Sequence, residues 1–311
     1  MQNLSTVAAQ VGVLFALMAV GAACRRLRLV DAAGAKGVVN VLIYAVTPCL
    51  IVDVFQRPFD ASMLRNLGAA FLISAAAHAA LIALARLTAR GGAGELGVLR
   101  LATVFSNAGF MGVPLEQAVL GDEGVFYGIV YVATFNLFIW SWGLGEMSGG
   151  AGRANSRESL RMVLNPGTIG LACALPLFLF SATLPGVLRT PVHLMAGMNT
   201  PLAMVAIGFY LAGADFRRVL RLPAAYAAAF IRLVGFPLAL VGAFFLLRGV
   251  LDRTMALALV IGASAPVAAM VAMFASRFER DVDLAVALVS GTTLLSVATM
   301  PPLIALAMAV L

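Results

Sequence analysis

Apolar residues run along this chain in ten windows, near residues 4–23, 37–56, 63–85, 98–119, 124–146, 166–184, 192–213, 223–247, 254–275 and 283–309. About 20 consecutive apolar residues cross the hydrocarbon core as a helix, so the pattern predicts an all-α polytopic membrane protein of about ten transmembrane helices. The connections are short. The longest, 147–165, is Gly-rich and basic and reads as a cytoplasmic linker between two five-helix halves, 1–146 and 166–311. No basic residue precedes Val7, and Arg25, Arg26 and Arg28 follow the first window. That is the reverse of a cleaved leader, so the first helix is expected to remain.

Composition narrows the class. Of 311 residues, 62% are hydrophobic and 11% charged, against roughly 25% charged in an ordinary soluble domain. A water-soluble fold is excluded, and the lipid bilayer is the expected solvent. The net charge of +7 does not point to nucleic acid, because the basic residues sit between apolar windows, not in stripes interleaved with aromatics. Cys24, Cys49 and Cys173 show no CxxC spacing, so neither a disulfide framework nor a metal site is expected, and no cofactor.

Where the charges fall sets the orientation. The connections after windows 1, 3, 5, 7 and 9 hold Arg25, Arg26, Arg28, Lys36, Arg86, Arg90, Arg100, Arg153, Arg157, Arg161, Arg217, Arg218, Arg221, Arg277 and Arg280, fifteen in all. Those after windows 2, 4, 6 and 8 hold five: Arg57, Arg65, Arg189, Arg248 and Arg253. Since Lys and Arg stay cytoplasmic, both termini are expected outside the cytoplasm of a bacterial inner membrane. A wrong count would flip the later connections and erase the bias. Five helices per half also make the second half enter from the opposite side, the geometry of two inverted repeats.

Two windows carry helix-breaking clusters in mid-span. Window 4 contains Phe105-Ser106-Asn107-Ala108-Gly109-Phe110-Met111-Gly112-Val113-Pro114, and window 9 contains Gly262-Ala263-Ser264-Ala265-Pro266. Proline removes a backbone donor and small residues admit a neighbouring chain, so freed backbone groups need partners other than lipid. The N-terminal ends of interrupted helices point N–H groups at such a place and attract anions. Ser106, Asn107, Ser264 and Pro266 are therefore candidate substrate-binding residues, and Gly109, Gly112, Pro114 and Gly262 candidate break residues. The spacings of Pro48 to Pro114 and Pro201 to Pro266, 66 and 65 residues, hint at the repeat.

Asn107-Ala108-Gly109-Phe110-Met111-Gly112-Val113-Pro114-Leu115, then Gly121, Gly124, Tyr127, Phe135-Asn136-Leu137, Trp140 and Gly143, together with Leu164-Asn165-Pro166 and Thr200-Pro201-Leu202-Ala203-Met204 with Gly208, resemble the auxin efflux carrier family along nearly the whole chain. That family includes plant auxin exporters and bacterial carriers proposed for malate or malonate. The resemblance implies a sodium/proton antiporter-like or bile-acid-symporter-like fold with crossed broken helices 4 and 9. Its scaffold would come from helices 1, 2, 6 and 7 and its transport domain from helices 3, 4, 5, 8, 9 and 10. Substrate would sit at the crossing. Ser106 stands where the plant carriers have a proline, Asn107 matches their asparagine and Pro266 matches the crossing proline of helix 9. Asn107 and Pro114 thus remain two positions for the break in helix 4. The resemblance also raises Asn136, whose amide offers donors and acceptors, to a residue of the binding site.

Ionisable residues inside spans are costly and are candidates by default. Asp53, Glu116 and Arg232 are weighed for coupling or charge compensation, each against a structural reading: solvation of Asp53 at the outer interface, snorkelling of Glu116, a salt bridge for Arg232. His78 reads foremost as a packing residue. Ser290, Gly291, Thr292 and Thr293 are expected to line the same cavity in the second half.

An intramembrane enzyme finds no grouped catalytic residues: no HExxH, no DDxxD, and His78 and His193 as the only histidines. A proton- or sodium-coupled cation antiporter would want carboxylates beside Asn107 or Pro266, and Glu116 is the nearest. The reading is a secondary transporter or uniporter for a small mono- or dicarboxylate, auxin-like or malate/malonate-like, working by alternating access, with a homodimer as the candidate assembly.

Overall fold

The computed structural model describes residues 2–149, 166–213 and 223–311. Most of the expected linker, with Arg153, Arg157 and Arg161, lies outside the described residues, as do Leu164, Asn165 and the group Arg217, Arg218 and Arg221. The described chain is all-helical: α1 (Gln2–Arg26), α2 (Ala32–Phe55), α3 (Ala61–Thr88), α4 (Ala93–Val104), α5 (Ala108–Met147), α6 (Pro166–Leu179), α7 (Gly186–Leu211), α8 (223–246), α9 (Arg253–Ser264), α10 (Ala269–Arg277) and α11 (Val282–Val310). Every apolar window of the sequence is occupied by helix.

Six of these stretches, in α2, α3, α5, α7, α8 and α11, are long and apolar enough to cross a membrane, and α6 and α9 are shorter apolar helices. Large side chains such as Leu72, Phe180, Val187 and Leu246 point outward, as lipid permits. This is a multi-pass membrane protein. At 40 residues, α5 would extend about 60 Å if straight, twice the hydrocarbon thickness. It is divided at Gly121, whose φ of 67° and ψ of −159° a side chain would resist. The stretch is therefore two helical segments, 108–120 and 122–147.

Prolines are absorbed rather than broken upon. Wider π turns cover Leu42–Val46, Ala108–Gly112 and Ile231–Gly235, and Pro48, Pro114 and Pro237 each stand two residues beyond one. A proline in a regular helix clashes with the carbonyl four residues back and cannot bond to it, and a local π turn reroutes that ladder within the helix. At the first of these, Thr47 Oγ1 donates to the carbonyl of Leu42 at 2.9 Å.

In lipid no hydrophobic force drives helices together, so close packing of small residues does much of that work. The seam between α1 and α7 is the tightest example. A Cβ on Gly21 would lie 1.9 Å from the Val205 carbonyl oxygen, and one on Gly208 1.9 Å from that of Met18. The two backbones touch through two glycines. Polar ties close the ends of other helices: Arg100 pairs with Glu146, and Arg280 Nε donates to the Met147 carbonyl at 2.7 Å.

Candidate functional site at the crossing of two interrupted helices

The interruptions lie at 105–107, between α4 and α5, and at 265–268, between α9 and α10. Phe105, Ala265 and Ala268 are extended, and the two short strands pair antiparallel at Ser106 and Val267. Asn107 N–H donates to the Pro266 carbonyl at 2.6 Å and Ala268 N–H to the Phe105 carbonyl at 2.9 Å. Each break thus satisfies the backbone groups that the other frees. The helices leading into the crossing, α4 and α9, are both 12 residues long.

This corrects the expectation for the break residues. Gly109, Gly112, Pro114 and Gly262 all lie within helix. Pro114 is displaced from the break because the π turn before it accommodates the ring. Gly112 and Gly262 are instead a point of close approach, since a Cβ on Gly112 would lie 3.3 Å from the Gly262 Cα. Gly109 faces a small cavity of about 40 Å³.

Four helix ends meet at the crossing, and they are treated differently. The two C-terminal ends, α4 and α9, share one cation. Arg232, fully buried on α8, donates through Nη1 to the carbonyls of Val104 at 2.9 Å and Thr103 at 3.4 Å, and through Nη2 to the carbonyl of Ala263. Each helix end carries about half a negative charge, so one guanidinium balances two. The expected carboxylate partner of Arg232 is replaced by backbone carbonyls.

The two N-terminal ends, α5 and α10, are bare. The N–H groups of Ala108, Gly109, Phe110, Ala269 and Met270 have no hydrogen-bond partner among the described residues. Beside them lies a cavity of about 450 Å³, whose lining includes Asn107, Phe110, Ala269, Ala272, Ser290 and Thr293 on the crossing side. Ala203, Ala206, Tyr210, Gly213 and Arg25 line it on the α1 and α7 side. Asn107 is 9% exposed, and its side chain makes no hydrogen bond among the described residues. Its lining extends to Arg25, Tyr210 and Gly213 at the ends of α1 and α7, near Arg26, Arg28 and Lys36 in sequence. The Arg25 guanidinium is held there by the Phe209 carbonyl, 3.3 Å away, and by the Phe209 ring.

Most of the remaining sequence candidates fall around this site, not in it. Ser106 is buried and donates to the Gly262 carbonyl at 2.8 Å, fastening the crossing. Ser264 donates to Ile261 of its own helix. Asn136 does not line the large cavity; its Nδ2 donates to Val132 and its side chain borders the small cavity beside Gly109 and Asn199. Thr292 accepts from Val267 N–H at 3.0 Å, while Ser290 and Thr293 do line the large cavity. Asp53 pairs with His193 at 2.9 Å, between α2 and α7. His78 is a buried ring stacked on Phe138, its Nδ1 2.8 Å from the Ser74 carbonyl. Glu116 is buried away from the cavity. Arg25 counted in the sequence only toward orientation, and Ala269, an alanine in an apolar window, carried no signal for this site.

Residues 6–304 match the membrane transport protein family. The chain belongs to that family, the auxin efflux carriers. An uncharacterized transporter of Methanothermobacter thermautotrophicus is 31% identical over 209 residues, which are 65% of this chain and 65% of the relative. The chain therefore covers just under two thirds of that relative's length. The family is described as membrane transport proteins and the relative as a transporter, which speaks against an enzyme.

Proposed function

We propose that this carrier moves a small organic anion, a mono- or dicarboxylate, by alternating access, binding it at the bare N-terminal ends of α5 and α10. The observation that carries the reading is the asymmetry at the crossing: Arg232 neutralises both C-terminal ends, whereas both N-terminal ends and Asn107 face the cavity. What is left for a ligand is an array of N–H donors with a partial positive charge of about half a unit per helix. A cation antiporter would need the opposite polarity. Among the described residues the one fully buried carboxylate, Glu116, does not line the cavity.

The architecture that fits this reading is two inverted five-helix repeats. In it the crossing and the helices around it move against a scaffold that contains the α1–α7 seam. With the Arg-rich connections in the bacterial cytoplasm and both termini outside, the cavity past Arg25 faces inward. Malate- or malonate-like substrates follow from the family resemblance and are the first to screen.

The test is counterflow of labelled carboxylates in proteoliposomes, with Ala269→Pro as the diagnostic variant. Ala269 is the first residue of α10, and Ala268 before it is extended, at φ −64° and ψ 135°. Proline is accepted at such a position, so the variant deletes one N–H and spares the helix. A hydrogen bond to a charged group contributes about 1.5–3 kcal/mol, so the apparent affinity should fall roughly 10- to 100-fold with thermal stability kept. An unchanged affinity for the transported anion would remove the helix ends from the binding site.

A further inference from the structure

Glu116 is the buried titratable group that the crossing leaves unused. It is 1% exposed, its Oε2 has no hydrogen-bond partner, and no ion pair reaches it among the described residues. Space for it is made by glycine. A Cβ on Gly128 would lie 1.7 Å from Glu116 Oε2, one on Gly262 3.5 Å from Oε1, and one on Gly112 3.7 Å from Oε1. These three glycines come from the two segments of α5, before and after Gly121, and from α9. The carboxyl group is thus set where both halves of the chain meet, about one turn from the crossing along α9.

Polar groups connect this pocket to the site. The Tyr131 ring packs against the same Cβ position of Gly262, 3.1 Å away. The Tyr131 hydroxyl is 3.5 Å from Ser106 Oγ, and Asn107 follows in the cavity wall. Among the described residues no charged side chain pairs with Glu116. On the helices packed against α5, the titratable or charged side chains are Arg65, His78 and Arg86 of α3, Lys36, Tyr44, Cys49 and Asp53 of α2, and Arg189, His193 and Tyr210 of α7. On α1 they are Cys24, Arg25 and Arg26 at its end, on α4 Glu95 and Arg100, on α9 Arg253 at its start and on α10 Arg277; Arg232 of α8 reaches Tyr131, and α5 itself adds Asp122, Glu123, Tyr127, Tyr131 and Glu146. None of these bonds to Glu116.

An ionised carboxylate here would have lost its hydration with nothing in exchange. We propose that Glu116 is a proton-binding site coupled to anion movement: it holds a proton while the cavity is open past Arg25 and releases it when the crossing shifts and the glycine pocket opens. The coupling rests on the anion reading above, whereas occupancy of the site by a proton does not.

The experiment has two arms. In proteoliposomes with one proton moved per anion, a one-unit pH gradient should shift steady-state anion accumulation about tenfold. Glu116→Gln should keep anion exchange and lose that response. A wild-type response in the variant overturns the proposal, and so does exchange by the wild type that is blind to the gradient; in both cases the anion reading survives. The second arm needs no substrate and no variant. Purified carrier labelled with 13C-glutamate should show, at neutral pH, the isotope-shifted infrared carbonyl band of a protonated glutamic acid. Lack of that band overturns the site even if no anion is ever found to be transported.

Discussion

Arg232→Met should leave little properly folded carrier, and what folds should not transport. The methionine fills much of the same volume, but it strands the carbonyls of Thr103, Val104 and Ala263 at two helix ends with no water to take them. Each buried acceptor left without a donor costs about 1–3 kcal/mol. Removing the cation returns part of that, because a buried charge is itself costly to desolvate. A net loss of about 3 kcal/mol is the expected balance. Arg232→Lys keeps the charge but offers one ammonium where a planar fork reached two helices, so it should fall between. Thermal unfolding of detergent-solubilised protein, followed by size-exclusion fluorescence, reads the order wild type, Lys, Met. If the methionine variant melts with the wild type, Arg232 does not hold the crossing.

Gly208→Ala should destabilise the fold by about 2–3 kcal/mol, although alanine is the better helix former by about 1 kcal/mol. The sign reverses because the new methyl group meets the Met18 carbonyl oxygen at 1.9 Å, and that is backbone, which cannot rotate away. Separating α1 from α7 is the available relief, and overpacking of this kind typically costs 1–3 kcal/mol before lost contacts are added. Gly21→Ala should behave alike, through Val205. Gly242→Ala in α8, with nothing within 4 Å, is the control and should be neutral or stabilising. The same unfolding assay separates them, and equal melting of Gly208→Ala and Gly242→Ala would refute the seam.

The helices were legible because hydropathy in lipid is a one-dimensional property: each window can be read without knowing its neighbours. The breaks were only half legible. Pro266 marked one, but Pro114 pointed two turns past the other, since a π turn can absorb a proline and an extended strand needs none, as Ser106 shows. Arg232 stood out by its cost, yet its partners are main-chain carbonyls, which no side-chain pattern announces. The glycines around Glu116 stand at 112, 128 and 262 and share no motif; they meet only in three dimensions. Asn136 shows the reverse error, a residue raised by resemblance whose amide bonds to its own helix and turns from the large cavity.

The paired breaks also bear on how the carrier is made. The backbone groups of Phe105 and Asn107 find their partners in Ala268 and Pro266, the latter 159 positions downstream of Asn107. At 5–20 residues per second, a ribosome needs roughly 8–32 s to supply them. Through that interval the first break must be sheltered by water, by the insertion machinery or by a provisional partner. The early half of the chain is therefore a dependent intermediate, and quality-control proteases have their clearest opportunity before Pro266 emerges.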